Sequence, residues 1–284
     1  MSNKTWLITG AARGLGAQIA QAALAAGDNV VATARNVEAA RGAFTEHTDR
    51  LLILSLDMTD PAGPQAVAEA AIERFGTIDV LVNNAGYGQL GIFEESSEED
   101  LERQLDTNVL GLTRMTRAVL PAMRHQRSGH IINIGSVCGV VGFDLCTLYG
   151  MSKFAVEGFS INLARDLAPL GIHVTVVEPG YFRTDFLDAS SARFAGNPIG
   201  DYEEVRSKTE AMYKGYNHQQ PGDPAKLGPA IIQLANAQTP PLHLLIGSDA
   251  VSIARQELAE RLSEIAAWES LSTSTDHDDV ALNR

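Results

Sequence analysis

Lys4 to Gly27 reads KTWLITGAARGLGAQIAQAALAAG, and this stretch decides the fold. Lys4 to Thr9 is a short apolar strand. Gly10, Gly14 and Gly16 follow in a G-x-x-x-G-x-G turn, and AQIAQAALAA continues as an apolar helix that stops at Gly27. Strand, glycine turn and helix in that order are the context a phosphate-binding turn needs. Gly10 permits the tight turn, and Gly14, Leu15 and Gly16 let a pyrophosphate approach backbone amides at the helix N-terminus. An ordinary glycine turn is the competing reading, and the complete strand–turn–helix pattern argues against it.

Working outward, DNVVATAR (28–35) is the second strand. An NAD-selective site places an acid near this strand's end to bind ribose hydroxyls. Here Ala34 and Arg35 stand there, with Arg13 inside the glycine turn as a second cation. Two guanidiniums suit a ribose 2′-phosphate, so NADP(H) is expected in preference to NAD(H). LLILSLD (51–57) is the third strand. Asp60 before Pro61 reads as a helix N-cap and first helical residue, which leaves Asp57, followed by Met58, for the adenine side. IDVLVNNAG (78–86) is the fourth strand. Asn83 and Asn84 are costly there unless their amides are paired, and bracing the cofactor crevice is one way to pair them; Ala85 and Gly86 complete this edge.

Further along, Tyr149 and Lys153 stand four residues apart in LYGMSK, with Ser136 thirteen residues before Tyr149. On a helix the i and i+4 side chains share a face. A nearby ammonium favours the phenolate and lowers the pKa of a phenol from its usual ~10. A hydroxyl beside the pair can bind the reacting oxygen. This is equipment for moving a proton on and off a carbonyl or alcohol oxygen.

The motifs together resemble the classical short-chain dehydrogenases/reductases, of the NADP-preferring type. TGAARGLG (9–16), NNAG (83–86), Asn108 in DTNVLG, Ser136, Tyr149-x-x-x-Lys153 and PGYFRT (179–184) match in order and spacing over residues 4 to 248. The resemblance implies that Tyr149 is the general acid/base and that Lys153 holds the nicotinamide ribose. It implies that Ser136 orients the substrate oxygen and that Asn108 anchors a proton-relaying water. It also implies that Asp57 contacts adenine, that Asn84 helps hold the cofactor, and that Thr184 with the backbone of Pro179, Gly180 and Phe182 holds the carboxamide. One departure stands out: PLHLLIGSDA runs into SIARQELAERLSEIAAWESL, an amphipathic helix, in place of the family's glycine-rich end. That puts the family's usual tetramer in doubt.

The expected fold is α/β: a single Rossmann-like, doubly wound parallel sheet of about seven strands with helices on both faces. Later strands are HIINIG, IHVTVVEPG and LHLLIG; helices cover Asp106 to His125, kinked at Pro121, and Thr147 to Leu170. Residues 1–269 form one domain, and 270–284 read as a disordered tail. From Pro179 to Pro221 the pattern loses its period, which marks an irregular substrate lid over about 181–221. Its aromatics, Tyr181 and Phe186 among them, face Tyr87, Phe143 and Leu145 across an apolar pocket. The substrate expected is therefore an uncharged, apolar ketone, aldehyde or alcohol.

A net charge of −13 argues against nucleic-acid binding. No apolar run is long enough to span a membrane, and MSNKTWLITG lacks a signal-peptide build; the expected location is the cytoplasm. Cys138 and Cys146 read as small apolar residues, and no metal-ligand spacing occurs. The FAVEGFSINLA stripe could pair two copies as a homodimer. Two other functions compete. A non-catalytic dinucleotide sensor should have lost Tyr149 or Lys153, and an epimerase or dehydratase usually carries a different glycine turn.

Overall fold

The computed structural model describes residues 3–44, 49–188 and 191–277. Its strands are β1 (Thr5–Ile8), β2 (Asn29–Ala34), β3 (Leu51–Ser55), β4 (Val80–Asn83), β5 (Gly88–Leu90), β6 (Gly129–Ile134), β7 (Ile172–Pro179), β8 (Ala192–Phe194) and β9 (His243–Ile246). Its α-helices are α1 (Gly14–Ala25), α2 (Val37–Gly42), α3 (Gly63–Phe75), α4 (Glu98–Leu105), α5 (Gly111–Gln126), α6 (Thr147–Leu167), α7 (Glu203–Tyr216), α8 (Pro224–Ala235) and α9 (Ser248–Thr273). Among the described residues no helix is long and apolar enough to cross a membrane.

Seven strands form one parallel sheet in the order β3-β2-β1-β4-β6-β7-β9. Strand side chains alternate between faces, and each face has its own core. Trp6, Ile8, Val80, Val82, Ile132 and Ile134 pack under α1 and α8. Leu7, Leu81 and Ile131 pack under α3 and α5 on the other face. Burial on both faces explains why these strands read as continuous apolar runs. The order reverses between β1 and β4, and a ligand crevice opens beyond the strand ends at such a switch point. The glycine turn leaves β1 there.

Four local expectations change. The helix expected over Asp106–His125 is broken not at Pro121, which stays inside α5, but at Asp106–Leu110, a single π-helical turn. The helix after β3 starts at Gly63 rather than Pro61. The intervening chain first closes two side-chain turns, Asp57 accepting from Thr59 and Asp60 from Ala62. The insert is not irregular. β8 pairs with β5 in register from Gly88↔Ala192 to Leu90↔Phe194, and α7 follows. Finally, α9 runs past residue 269 to Thr273, where Ser272 and Thr273 hydroxyls bond back to Trp268 and Glu269 carbonyls. The rest of the expected tail beyond His277 lies outside the described residues.

Candidate active site

The glycine turn is built by close approach. Gly10 (φ +68°) and Gly14 (φ +56°) occupy the left-handed region. A Cβ on Gly16 would sit 2.4 Å from Asn84 Nδ2 and 2.5 Å from Gly10 O. Asn84 Nδ2 donates to Thr9 O (2.9 Å) and Gly10 O (3.1 Å). Its amide therefore braces the turn itself. Thr9 completes the lock, its hydroxyl accepting from the N–H groups of Asn84 and Ala85. Arg13 is the N-cap of α1, and its side chain makes no cap hydrogen bond. A backbone cradle with no room for a Cβ at an uncapped helix N-terminus fits a pyrophosphate.

The edges of the crevice follow. Arg35 is exposed just past β2, and Arg13 donates to Ser191 Oγ at 2.6 Å. Asp57 is engaged rather than free: its Oδ1 accepts from the N–H (2.9 Å) and hydroxyl (2.8 Å) of Thr59. The Thr59 N–H, then its hydroxyl and the Arg35 charge, hold this carboxyl below its usual range against a smaller opposing effect of burial. Met58 is buried against Gly111, while Gly86 is exposed beside Asn108. Thr184 lies over the turn, 3.9 Å from a Cβ placed on Gly14, and its Oγ1 accepts from Phe186 N. Phe182 pairs with Gly222 and packs on the α1/α8 core. Pro179 and Gly180 close β7, and a Cβ on Gly180 would strike the Asp249 carboxylate.

The predicted acid–base group assembles. Ser136, Tyr149 and Lys153 are all buried, and the Ser136 hydroxyl lies close enough to the Tyr149 phenol to favour its ionised form. Lys153 Nζ donates to Ile134 O at 2.8 Å and lies 5.7 Å from the Tyr149 ring centroid. Burial drops the Lys153 ammonium to about 8, while Cys138 and Glu157 oppose the drop. The expected lowering of the Tyr149 pKa is not found in the protein alone. Burial, with smaller contributions from Cys138 and Cys146, pushes this phenol well above its ordinary value, and the neighbouring Ser136 hydroxyl only partly opposes it. Desolvation outweighs the hydroxyl here because the ring has almost no contact with water.

Asn108 sits in the π-helical turn, a feature frequent at functional sites. Its Nδ2 donates to Tyr87 O (3.0 Å) and Ser152 Oγ (3.1 Å), and its Oδ1 accepts from Tyr87 N (3.1 Å). Ser152 donates in turn to Tyr149 O. Asn108 thus ties Tyr87, just before β5, to α6. Asn83, by contrast, turns away from the crevice and joins a buried network with Thr116, Asn133 and Ser160.

On the substrate side, Leu90, Leu145, Tyr149, Ala192 and Tyr213 form one apolar cluster with Phe143 and Phe186 packed on it. Phe186 stacks at a tilt on Tyr149 (5.4 Å), and Tyr181 meets Phe143 edge-on (6.2 Å). The expected pocket residues are therefore together but packed against one another, and Tyr149 is only 7% exposed. Leu145 holds φ +59°, a conformation costly for leucine, one turn before Tyr149. Tyr87 faces the Arg193 guanidinium at 5.7 Å, and its hydroxyl is buried without a partner.

Several residues had no signal in the sequence. Asp249, at the start of α9, accepts from Tyr181 N at 2.7 Å and fixes the PGY corner. Fully buried Glu95 binds Arg206 and accepts from Ile199 N, anchoring α7. Glu157, Glu178 and His243, far apart in the chain, place ligand atoms within 4.8 Å of one another, a grouping that spacing did not reveal. Burial and the neighbouring Glu178 raise Glu157 to about 8. Glu157 stands four residues after Lys153, so Tyr149, Lys153 and Glu157 share one face of α6.

Residues 4–193 match the model of the short chain dehydrogenase family. The chain belongs to the short-chain dehydrogenases. This dehydrogenase is 34% identical over 273 residues to oxidoreductase BOA17 of Botryotinia fuckeliana, covering 96% of this chain and 99% of the relative. A solved short-chain dehydrogenase from Streptomyces avermitilis superposes with a TM-score of 0.90 at 41% identity, covering 97% of this chain and all of that one (100%). ElxO with NADP bound superposes with a TM-score of 0.73 at 28% identity, covering 88% of this chain and 100% of that one. The dehydrogenase is a dinucleotide-dependent oxidoreductase, and the doubly wound fold read from residues 4–27 is the family's.

Proposed function

We propose that this dehydrogenase interconverts an apolar ketone or aldehyde and its alcohol with NADP(H), using Tyr149 as general acid/base. The observation that carries this reading is the meeting of Ser136, Tyr149 and Lys153 in one buried group beside the crevice. Gly10, Gly14, Leu15 and Gly16 would hold the pyrophosphate. Arg13 and Arg35 would hold a 2′-phosphate. When bound, the nicotinamide supplies or accepts a hydride at the substrate carbon.

The chain's own residues handle the proton. In reduction Tyr149 gives its phenolic proton to the substrate oxygen, and in oxidation it takes it back. Ser136 shares that oxygen and keeps the phenol aimed. The Lys153 ammonium has three protons and spends one on Ile134 O, so two remain for ribose hydroxyls. Its charge favours the phenolate that oxidation requires. Asn108 sets the distance between Tyr87 and the catalytic helix and would hold the relaying water.

Leu145, Phe186, Tyr181 and Phe143 make the substrate surface apolar. Because Phe186 covers Tyr149, residues 181–221 act as a lid that must lift for substrate to enter. Met151 and Phe154 on α6, with Leu110 before α5, are exposed and form the face on which a homodimer would pair.

The test is NADPH oxidation against a panel of ketones, aldehydes and steroids, with NADH as control. Tyr149→Phe should abolish turnover yet keep cofactor binding. Turnover at the wild-type rate in that variant refutes the mechanism.

A further inference from the structure

α9 leaves the body of the protein. Its first turns are held: Ala250 and Ala254 are buried, and Asp249 ties its start to Tyr181. Beyond Glu257 every residue through Ser272 is exposed. Leu258, Leu262, Ile265 and Trp268 are exposed by 52%, 67%, 60% and 63%. At about 100° per residue these four side chains fall within an arc of about 120°. Val251 and Ala254 share that arc, so the stripe that seats the base of α9 runs on, uncovered, for about 15 Å from Leu258 to Trp268. Ser248 to Thr273 contains no glycine or proline, so the helix cannot bend back to cover its own stripe.

We infer that a second copy of α9 covers this stripe in an antiparallel pair centred on Leu262. Charge selects the direction. Arg255 and Glu269 lie seven residues before and after Leu262. An antiparallel pair brings Arg255 to the partner's Glu269. A parallel pair in register sets like charge against like. Size agrees: Leu258 packs beside the partner's Ile265. A membrane surface fits worse, since Glu257, Glu260, Glu264 and Glu269 outnumber Arg255 and Arg261, whereas interfacial helices are rich in cations. The pairing is independent of catalysis and uses a surface separate from the α6 face.

Cysteine cross-linking of the purified full chain tests it. The two native thiols are buried or half-buried, so an introduced surface thiol reports alone. Leu262→Cys should give a disulfide-linked dimer on a non-reducing gel after mild copper-phenanthroline oxidation. Ala267→Cys, on the opposite side of α9, should not. Leu258→Cys should stay unlinked alone but link when mixed with Ile265→Cys. Leu262→Glu should lower the molar mass read by light scattering. An unlinked Leu262→Cys, efficient self-linking of Leu258→Cys and Ile265→Cys, or an unchanged mass for Leu262→Glu overturns the inference. So does wild-type binding to phosphatidylcholine/phosphatidylglycerol vesicles that Leu262→Glu abolishes.

Discussion

Replacing Lys153 by methionine should stabilise the fold while destroying turnover. Lys153 is 8% exposed, and burial drops its ammonium from the ordinary 10.5 to about 8. At 1.36 kcal/mol per pH unit, holding that charge inside costs about 3 kcal/mol at neutral pH. The unfolded chain keeps the proton up to 10.5 and the folded chain only to about 8. The full cost therefore stands below pH 8 and is relieved as pH rises from about 8 to 10.5. By pH 9.5 about 1 kcal/mol of it remains. Methionine fills a similar volume without charge, but it removes the donor to Ile134 O, which returns about 1 kcal/mol. Lys153→Met should thus be more stable than wild type by about 2 kcal/mol at pH 7, and the gap should vanish by pH 9.5. Glu157 acts in the same direction, because without its cationic neighbour its own ionisation becomes costlier as pH rises. Urea unfolding followed by circular dichroism at the two pH values measures this. Equal destabilisation at both, or a pH-independent gap, refutes the reasoning. Turnover should fall by roughly two to four orders of magnitude.

Gly16→Ala should abolish dinucleotide binding and cost about 3 kcal/mol, because its Cβ meets Gly10 O and Asn84 with no room to yield; cofactor titration by fluorescence measures it. Glu157→Gln should gain on wild type with rising pH. Burial and Glu178 raise the Glu157 pKa to about 8, so the wild type loses stability as pH climbs from the unfolded carboxyl's 4.5 to that value, and glutamine has no such loss. A melting-temperature difference that stays flat from pH 5 to 9 counts against it. Arg35→Asp should weaken NADP(H) binding by roughly 10- to 100-fold and improve NAD(H), which the ratio of kcat/KM for the two cofactors reports.

What was legible in the sequence was what local rules write down. Gly10, Gly14 and Gly16 between a strand and a helix declared the turn because only glycine tolerates those angles and approaches. Apolar runs declared the doubly covered strands. Tyr149 and Lys153 declared a shared helix face because 3.6 residues make a turn. The division of roles between Asn83 and Asn84 was not legible: adjacent strand-end amides look alike until the fold sends one into a buried network and the other under the glycine turn. The ordered insert was missed because β8 pairs with β5 about a hundred residues away, and pairing across such a distance leaves no local period.

The sequence by itself determined the strand order's raw material, the glycine turn and the identity of the side chains proposed to handle the proton. The tertiary structure alone decided their ionisation. Burial raises Tyr149, lowers Lys153 and brings Glu157, Glu178 and His243 together. Desolvation depends on what surrounds a group in space, and neighbours in space are set by the packing of distant segments rather than by neighbours in the chain.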